Sequence, residues 1–310
     1  MVDPDDGSVR SWSNPAHPGY SYPEAAGLVL AALATEPGTE AICSRIASRL
    51  ARDVDASGAV GRGGARYAFD TCVCLAGLLA HERAGGVLDD PALPDRMGRA
   101  ACAMLDRGVC VEGDVDAPAG HWSVSYGSHL LKCAVALTAL DERAREDRHR
   151  GTVRSLVDAL APLGRGGRFP MHASATESYL HATLYALEGL ACLRSRGWEG
   201  FDDTLEAGGL WLATAQDEVG ALRAWHDGAR AWGARRSDAT AQAMRFWCWH
   251  DRARWAPNVA RAKAFLTAGQ DDSGGVVYEA DSRDVNTWAT AFALQALRWE
   301  ERAGDARWVL

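Results

Sequence analysis

The chain has 310 residues and a formal net charge of −8, which disfavours a broad nucleic-acid-binding surface or an anionic-membrane surface. Hydrophobic residues make up 47% and charged residues 24% of it, as in ordinary globular proteins. From its apolar runs and its acidic first residues we expect no membrane span and no secretory signal. Its eight cysteines fall mostly in apolar helical patterns without a CxxC pair, so we expect reduced thiols in a cytoplasmic protein.

One motif recurs six times along the chain. In each copy a loop leads to an acid or another anchor residue, and an apolar helix follows. The copies begin at Glu24, Asp70, Ser128, His181, Asp238 and Trp288. Because these helices are apolar nearly all round, we predict that they are buried on all faces. Their many Ala, Gly and Cys residues allow neighbouring helices to approach closely.

Helices of a second kind lie between these copies. They are amphipathic, with apolar residues spaced i, i+3 and i+4, and they cover residues 40–52, 95–107, 153–163, 201–216 and 259–270. Such helices fit an outer layer with one face in water. Strand signals are nearly absent, and residues 275–278 give the best one. We therefore expect about 60% helix or more and no sheet of three or more strands.

Six buried helices that alternate with about five amphipathic ones predict an all-α (α/α)6 toroid, formed by a single domain over residues 1–310. The last outer helix is missing from this pattern, because the sequence ends soon after the sixth inner helix. We expect residues 1–21 to cover that gap as an N-terminal segment. An open helical solenoid is the alternative architecture.

Residues 20–300 resemble the prenyltransferase and terpenoid-cyclase superfamily of α/α toroids. The segment FDTCVCLAGL, residues 69–78, is similar to an inner helix of protein prenyltransferase β-subunits, with Asp70 in place of a zinc-binding histidine. Residues 270–278 resemble a degenerate QW repeat in which Tyr278 replaces Trp. The resemblance implies the fold. It does not imply one activity, because carbohydrate-active enzymes share this architecture and the DxDD motif of class II terpene cyclases is absent.

Arginine-rich loops precede several of the predicted inner helices. In an α/α toroid the N-termini of the inner helices meet at one mouth, and their partial positive charges favour anions. Arginine forks bind phosphate, sulfate or carboxylate groups. We therefore predict an anionic small-molecule substrate bound by Arg62, Arg66, Arg168 and Arg223, with solvated loop residues as the alternative. No phosphate-binding or dinucleotide motif is present, and we expect no cofactor.

Aromatic residues on the same loops are expected to line the substrate site, where they would stabilise a cation or stack on a sugar. With a neighbouring histidine, the predicted binding residues are Trp122, Tyr126, Trp225, His226, Tyr278 and Trp288. Lys132 lies in the third apolar helix, where a lysine should be paired or have a lowered pKa. It would form a salt bridge with an anchor acid, bind an anion or act as a base.

The predicted catalytic residues are acids and histidines at the mouth. Asp70 and Asp238 begin two apolar helices, where they either cap the helix or face each other as acid and base. Glu177 and His181 are four residues apart, which predicts a shared helical face, and His172 precedes them. A carboxylate beside an imidazole suits general acid/base catalysis, or forms a buried structural pair. The spacing matches no zinc signature, so we expect no metal.

These features predict a bacterial enzyme of natural-product biosynthesis. It would cyclise, eliminate or isomerise an anionic substrate by acid/base chemistry at the toroid mouth. A carbohydrate-active hydrolase, lyase or epimerase with paired carboxylates is the second interpretation. A non-catalytic toroid that binds a partner protein is the third.

Overall fold

A computed structural model describes residues 1–14, 16, 19–115 and 121–309. The described chain contains 11 α-helices and is 54% helical. The helices are α1 (Pro23–Leu33), α2 (Glu40–Asp53), α3 (Ala68–Arg83), α4 (Leu93–Leu105), α5 (Cys133–Ala144), α6 (Arg150–Leu160), α7 (Leu180–Ser195), α8 (Asp202–Ala215), α9 (Ser237–Asp251), α10 (Ala256–Ala268) and α11 (Thr287–Glu301). None of these described helices combines the length and the hydropathy needed to cross a membrane.

The odd-numbered helices form a closed ring. Helices α3, α5, α7 and α9 are buried over most of their length, and each odd-numbered helix packs on the next. Helix α11 packs on α1, which closes the ring and rules out an open solenoid. The even-numbered helices bury one stripe and turn the other face to water. The predicted all-α toroid is therefore confirmed.

Glycine sets the closest approach between two helices of the ring. A Cβ atom on Gly77 of α3 would lie 2.4 Å from the carbonyl oxygen of Gly27 in α1, and a Cβ on Gly27 would lie 2.8 Å from Cys74 Cα. Only glycine allows the two backbones to come this close. These two positions explain why the apolar helices carry small residues where they face each other.

Short strands join the loops at the N-terminal end of the ring. They are β1 (Trp12–Ser13), β2 (Gly61–Arg62), β3 (Ala65–Tyr67), β4 (Val111–Glu112), β5 (Ser178–Tyr179), β6 (Leu222–His226), β7 (Ala231–Arg236) and β8 (Val285–Asn286). Two antiparallel three-stranded sheets have the orders β2-β3-β4 and β5-β6-β7, and β1 pairs with β8.

The expectation of no three-stranded sheet is therefore wrong, and the helical share is below the value predicted. The backbone N–H and C=O groups of an ordered loop need partners, and here neighbouring loops supply them to each other. The predicted strand at residues 275–278 forms only isolated bridges, from Val276 to Gln270 and from Val277 to Val285.

Residues 11–14 of the N-terminal segment lie against the start of the last helix. Thr287 donates its backbone N–H to the carbonyl of Ser11 over 3.1 Å, and Asn14 donates to Asp284 over 2.6 Å. Residues 15, 17 and 18 of the expected covering segment lie outside the described residues. After α11 the described chain forms a short 3-10 turn at Ala306–Trp308.

Candidate active site

A cavity of about 530 Å³ opens at the N-terminal ends of the ring helices. We call it the mouth cavity. Its volume is in the range of small-molecule sites. Acids, imidazoles, arginines and aromatic rings line it: Trp12, Tyr20, Tyr22, Glu24, Arg62, Tyr67, Phe69, Asp70, His121, Trp122, Ser123, His129, Tyr179, His181, Arg236, Asp238, Tyr278, Asp284, Asn286 and Trp288.

One wall of the mouth cavity carries two buried carboxyl groups. Glu24 lies in the first turn of α1 and Asp70 in the first turn of α3. The Tyr22 hydroxyl donates to Asp70 Oδ2 over 2.7 Å, and Trp288 Nε1 donates to Glu24 Oε1 over 2.9 Å. Burial raises the pKa of Asp70 to about 7. Burial and the Asp70 charge raise the pKa of Glu24 well above its usual range. The pair therefore retains a proton near neutral pH.

Two buried imidazoles also line the mouth cavity. His181 lies in the first turn of α7, and burial lowers its pKa to about 4 although Asp238 opposes the shift. Burial lowers the pKa of His129 to about 3. Among the described residues, neither ring nitrogen of His129 has a hydrogen-bond partner. The Nδ1 atom of His181 has none there either. Both rings are thus neutral at pH 7, and their unpaired nitrogens can form hydrogen bonds with a polar ligand.

Arg236 holds Asp238 beside His181. Its Nε donates to Asp238 Oδ1 over 3.2 Å and its Nη2 to Oδ2 over 2.8 Å, while the Ala239 N–H donates to Oδ1 over 2.7 Å. Burial alone would raise the pKa of Asp238, but Arg236 and His181 favour the charged form and keep the pKa below its usual value. Asp238 Oδ2 lies 3.8 Å from His181 Nδ1. An ionised carboxylate in that place stabilises a protonated imidazole.

Aromatic rings complete the walls. Trp122 stacks on Tyr179 with 5.5 Å between ring centroids and meets His129 edge-on at 5.3 Å. Tyr22 packs against Trp288 at 5.8 Å on the other side of the cavity. Flat rings of this kind bind the apolar face of a ligand while their polar edges accept or donate hydrogen bonds.

The mouth cavity brings together several of the predicted site residues. These residues lie at helix starts or on rim loops, and they are Asp70, Asp238, His181, Arg62, Trp122, Tyr278 and Trp288. Their convergence follows from the parallel course of the ring helices, which places every helix start at the same end.

The predicted pairing of Glu177 with His181 is wrong. Helix α7 begins at Leu180, and Ser178 and Tyr179 form strand β5. Glu177 therefore lies three residues before the helix, shares no helical face with His181, and is exposed. His172 also lies outside the mouth cavity, where its Nδ1 is 3.0 Å from Ser174 Oγ.

Most of the predicted anion-binding arginines hold the rim loops together instead. Arg66 pairs with Asp55 at 2.5 Å. Arg168 donates to the Thr176 carbonyl over 2.9 Å, and Arg223 donates to the Gly233 carbonyl over 2.9 Å. These three side chains lie outside the mouth cavity because loop carboxylates and carbonyls occupy their guanidinium groups. Arg62 lines the cavity and lies 4.1 Å above the Tyr20 ring.

Lys132 lies below the mouth cavity in a buried ionic cluster. Its Nζ is 2.7 Å from Glu188 Oε2, and Arg245 Nε donates to Glu188 Oε1 over 2.8 Å. Burial lowers the pKa of Lys132 to about 8. Lys132 thus forms a salt bridge, which is one of the predicted alternatives. Its partner Glu188 lies in the middle of α7, however, and not at a helix start.

Three further predicted binding residues lie behind the cavity walls. Trp225 packs between Tyr179, at 4.9 Å, and Trp232, at 6.4 Å. His226 Nδ1 accepts the Gly228 N–H over 2.8 Å. Tyr126 packs against the hydrophobic core.

The sequence marks Glu24 as a helix-start residue, but Glu24, Arg236 and His129 are not among the predicted site residues. Glu24 and Arg236 carry a positional signal, because each lies within one residue of the start of a ring helix, whereas His129 lies four residues before α5. No group of three or more His, Cys, Asp or Glu side chains in the described part of the chain is placed to hold a metal ion.

No protein-family model matches the chain, and no curated protein matches it. Solved structures match over nearly its whole length. A cellobiose 2-epimerase from Bacillus thermoamylovorans has a TM-score of 0.72 at 10% identity, with 96% of this chain and 94% of that chain covered. The chain has the fold of the α/α-toroid enzymes.

Two other enzymes show the range of chemistry on this fold. An unsaturated glucuronyl hydrolase from a Bacillus species has a TM-score of 0.66 at 13% identity, with 96% of this chain and 94% of that chain covered. A type II terpene cyclase from Scytonema, solved with geranylgeranyl dihydroxybenzoate, has a TM-score of 0.64 at 17% identity, with 96% and 92% covered. Similarity at this level fixes the architecture of this α/α toroid and leaves its reaction to the site.

Proposed function

We propose that this α/α toroid is an acid/base enzyme that epimerises, isomerises or eliminates from a polyhydroxylated, sugar-like substrate in the mouth cavity. One observation carries the proposal. The Glu24–Asp70 pair retains a proton near neutral pH, whereas His181 retains none. Titratable groups whose pKa values are pushed apart in one cavity supply an acid and a base together.

The ring order supports this assignment of an acid and a base, because the helices that carry them lie opposite each other. Helix α7, which carries His181, is the third helix from α1 in either direction around the ring, and α9 stands in the same relation to α3. In the proposed reaction His181 takes a proton from the substrate, and Asp238 stabilises the imidazolium that forms. The Glu24–Asp70 pair delivers a proton from the facing wall. Such two-sided transfer suits inversion at carbon or elimination.

The polar groups of the cavity favour a polyhydroxylated substrate over a hydrocarbon. Unpaired imidazole nitrogens on His129 and His181 offer partners to hydroxyl groups, and Trp122 and Trp288 offer flat faces to a ring. A hydrocarbon would leave these buried polar atoms unsatisfied. The fold neighbours include a cellobiose 2-epimerase and an unsaturated glucuronyl hydrolase, which supports a sugar-like substrate.

A second candidate is cyclisation or elimination of an anionic substrate in natural-product biosynthesis. Arg62 favours it, because its guanidinium lines the mouth cavity and has no ion pair among the described residues. In that case Arg62 would hold the anionic group while the same acid and base move protons.

Proton exchange with solvent tests the proposal. The protein is incubated in D2O with a panel of neutral sugars, uronic acids and prenyl diphosphates, and NMR follows deuterium incorporation at carbon and new double bonds. We expect a sugar to react with the wild type, and we expect Asp70→Asn and His181→Gln to lose at least about a hundredfold in rate. Glu177→Gln, the exposed control, should keep the rate. Turnover of a prenyl diphosphate alone would overturn the proposal in favour of the second candidate.

A further inference from the structure

A second cavity of about 290 Å³ lies toward the opposite end of the toroid. We call it the far cavity. Residues of α1, α3 and α11 and the start of α5 form its wall, which includes Leu28, Ala31, Val73, Ala76, Val135 and Ala136. Protein interiors are normally packed without voids of this size. An apolar space does not give water the polar partners that it needs, so it favours an apolar ligand.

Phe69 separates the far cavity from the mouth cavity. Its ring lines both of them and packs against His129 at 5.4 Å and Tyr185 at 4.8 Å. The side chain is buried. A ligand of the far cavity therefore enters from the C-terminal end of the ring and not through the mouth.

The residues at that end carry positive charge. Arg83 and Arg302 line the far cavity, are exposed, and have no ion pair within the described part of the chain. The Arg83 guanidinium lies 4.4 Å above the Trp308 ring, which fixes its position at the opening. The side chains at this end thus offer two cations to an incoming ligand.

The other charged groups that line the far cavity are already paired. Arg298 lies 2.8 Å from Glu36, and Asp305 lies 2.8 Å from Arg307. Lys132, at the inner end, is paired with Glu188. An apolar pocket with cations at its opening is complementary to a molecule with an apolar chain and an anionic head.

We propose that the far cavity binds an amphipathic anion, with the apolar chain inside the ring and a carboxylate or phosphate head at Arg83 and Arg302. The site is separate from the mouth cavity and does not depend on the reaction proposed there. Decanoate, a free carboxylate with an unbranched chain, is the probe.

Calorimetric titration with carboxylates from hexanoate to tetradecanoate tests the apolar part. We expect one molecule bound per chain and an affinity that rises about fourfold per methylene until the cavity is full, then levels off. Ala76→Phe fills the space and should abolish decanoate binding. If that variant does not fold, the chain-length series on the wild type still decides the matter. A steady rise without a plateau, or several molecules bound per chain, would overturn the proposal.

The charged part is tested by comparing decanoate with decanol. We expect the double variant Arg83→Ala/Arg302→Ala to lose about fivefold or more in decanoate affinity and to bind decanol as the wild type does. Arg154→Ala is the matched control, because Arg154 is also exposed and stacks on a tryptophan, Trp198, at 4.5 Å. Equal affinities for decanoate and decanol in all forms would overturn the role of the arginines. Asp70→Asn should leave decanoate binding unchanged, which separates this site from the mouth cavity.

Discussion

His181 Nδ1 lies 3.8 Å from Asp238 Oδ2, with both side chains buried where α7 meets α9. Burial keeps the imidazole neutral, and Arg236 keeps the carboxylate charged. When His181 takes up a proton, the two buried side chains become an ion pair. The arrangement therefore stabilises the imidazolium that forms when His181 is protonated.

Replacing His181 separates a catalytic role from a structural one. His181→Gln removes the proton acceptor, and we expect turnover to fall at least about a hundredfold. The melting temperature should change little, because Nδ1 makes no hydrogen bond within the described residues. Thermal unfolding and steady-state kinetics check both points. A large loss of melting temperature with unchanged turnover of the folded fraction would make His181 a structural residue.

The raised pKa of Asp70 predicts that its contribution to the stability of the fold falls as pH rises, the opposite of the usual behaviour of an aspartate. Its pKa of about 7 in the folded protein lies above the usual value of 3.8 for an aspartic acid. The folded state thus binds more protons between these values, and this contribution to stability is lost as pH rises from about 4 to about 7. Asp70→Asn keeps the acceptor for Tyr22 and removes the charge. We expect it to stabilise the fold by about 2 kcal/mol at pH 8 and by much less at pH 4.

Urea unfolding of both forms at the two pH values measures this difference. Asp281→Asn, on a mouth loop but outside the cavity lining, serves as the control. Equal stability of wild type and Asp70→Asn at pH 8 would show that the Asp70 carboxyl has an ordinary pKa.

The ring helices and the helix-start positions could be predicted from the sequence. A helix that is apolar all round has to be buried, and parallel ring helices bring Asp70, His181, Asp238 and Trp288 to one end. The sequence could not show what the arginines contact. Arg66 reaches Asp55, eleven residues upstream, across a turn that periodicity does not reveal.

The error at Glu177 has a local cause. An i, i+4 spacing implies contact only if all five residues are helical, and here α7 begins only at Leu180, after strand β5. The pairing of β5 with β6 involves residues about 47 positions apart, such as Tyr179 and Trp225, which local sequence cannot specify.

Two arginines allow the effect of a positive charge inside the mouth cavity to be compared with that of one outside it. If the substrate carries an anionic group, Arg62→Ala should weaken its binding by about 1.5–3 kcal/mol, as for a charged hydrogen bond. Arg66→Ala, whose guanidinium pairs with Asp55, should leave binding unchanged. Titration of both variants with the substrate and with its neutral analogue checks this. A larger effect of Arg66→Ala would show that the rim, and not the cavity, holds the anion.

The buried cluster around Glu188 should dominate the stability of the ring. Glu188→Gln leaves Lys132 and Arg245 without the carboxylate that they share, and we expect a loss of about 3–5 kcal/mol. Asp202→Asn removes the partner of Arg194 in an exposed ion pair and should cost less than about 1 kcal/mol. Chemical denaturation measures both. Similar values for the two variants would mean that the Glu188 charge is not essential to the core.

The protonation states of His181 and Asp70 test the central claim most directly, because they need no substrate. NMR of protein labelled with 15N-histidine and 13C-aspartate, assigned with His181→Gln and Asp70→Asn, reports both groups from pH 4 to pH 9. We predict that His181 is neutral at pH 7 and titrates near pH 4, while Asp70 titrates near pH 7. A protonated His181 together with an ionised Asp70 at pH 6 would contradict the account.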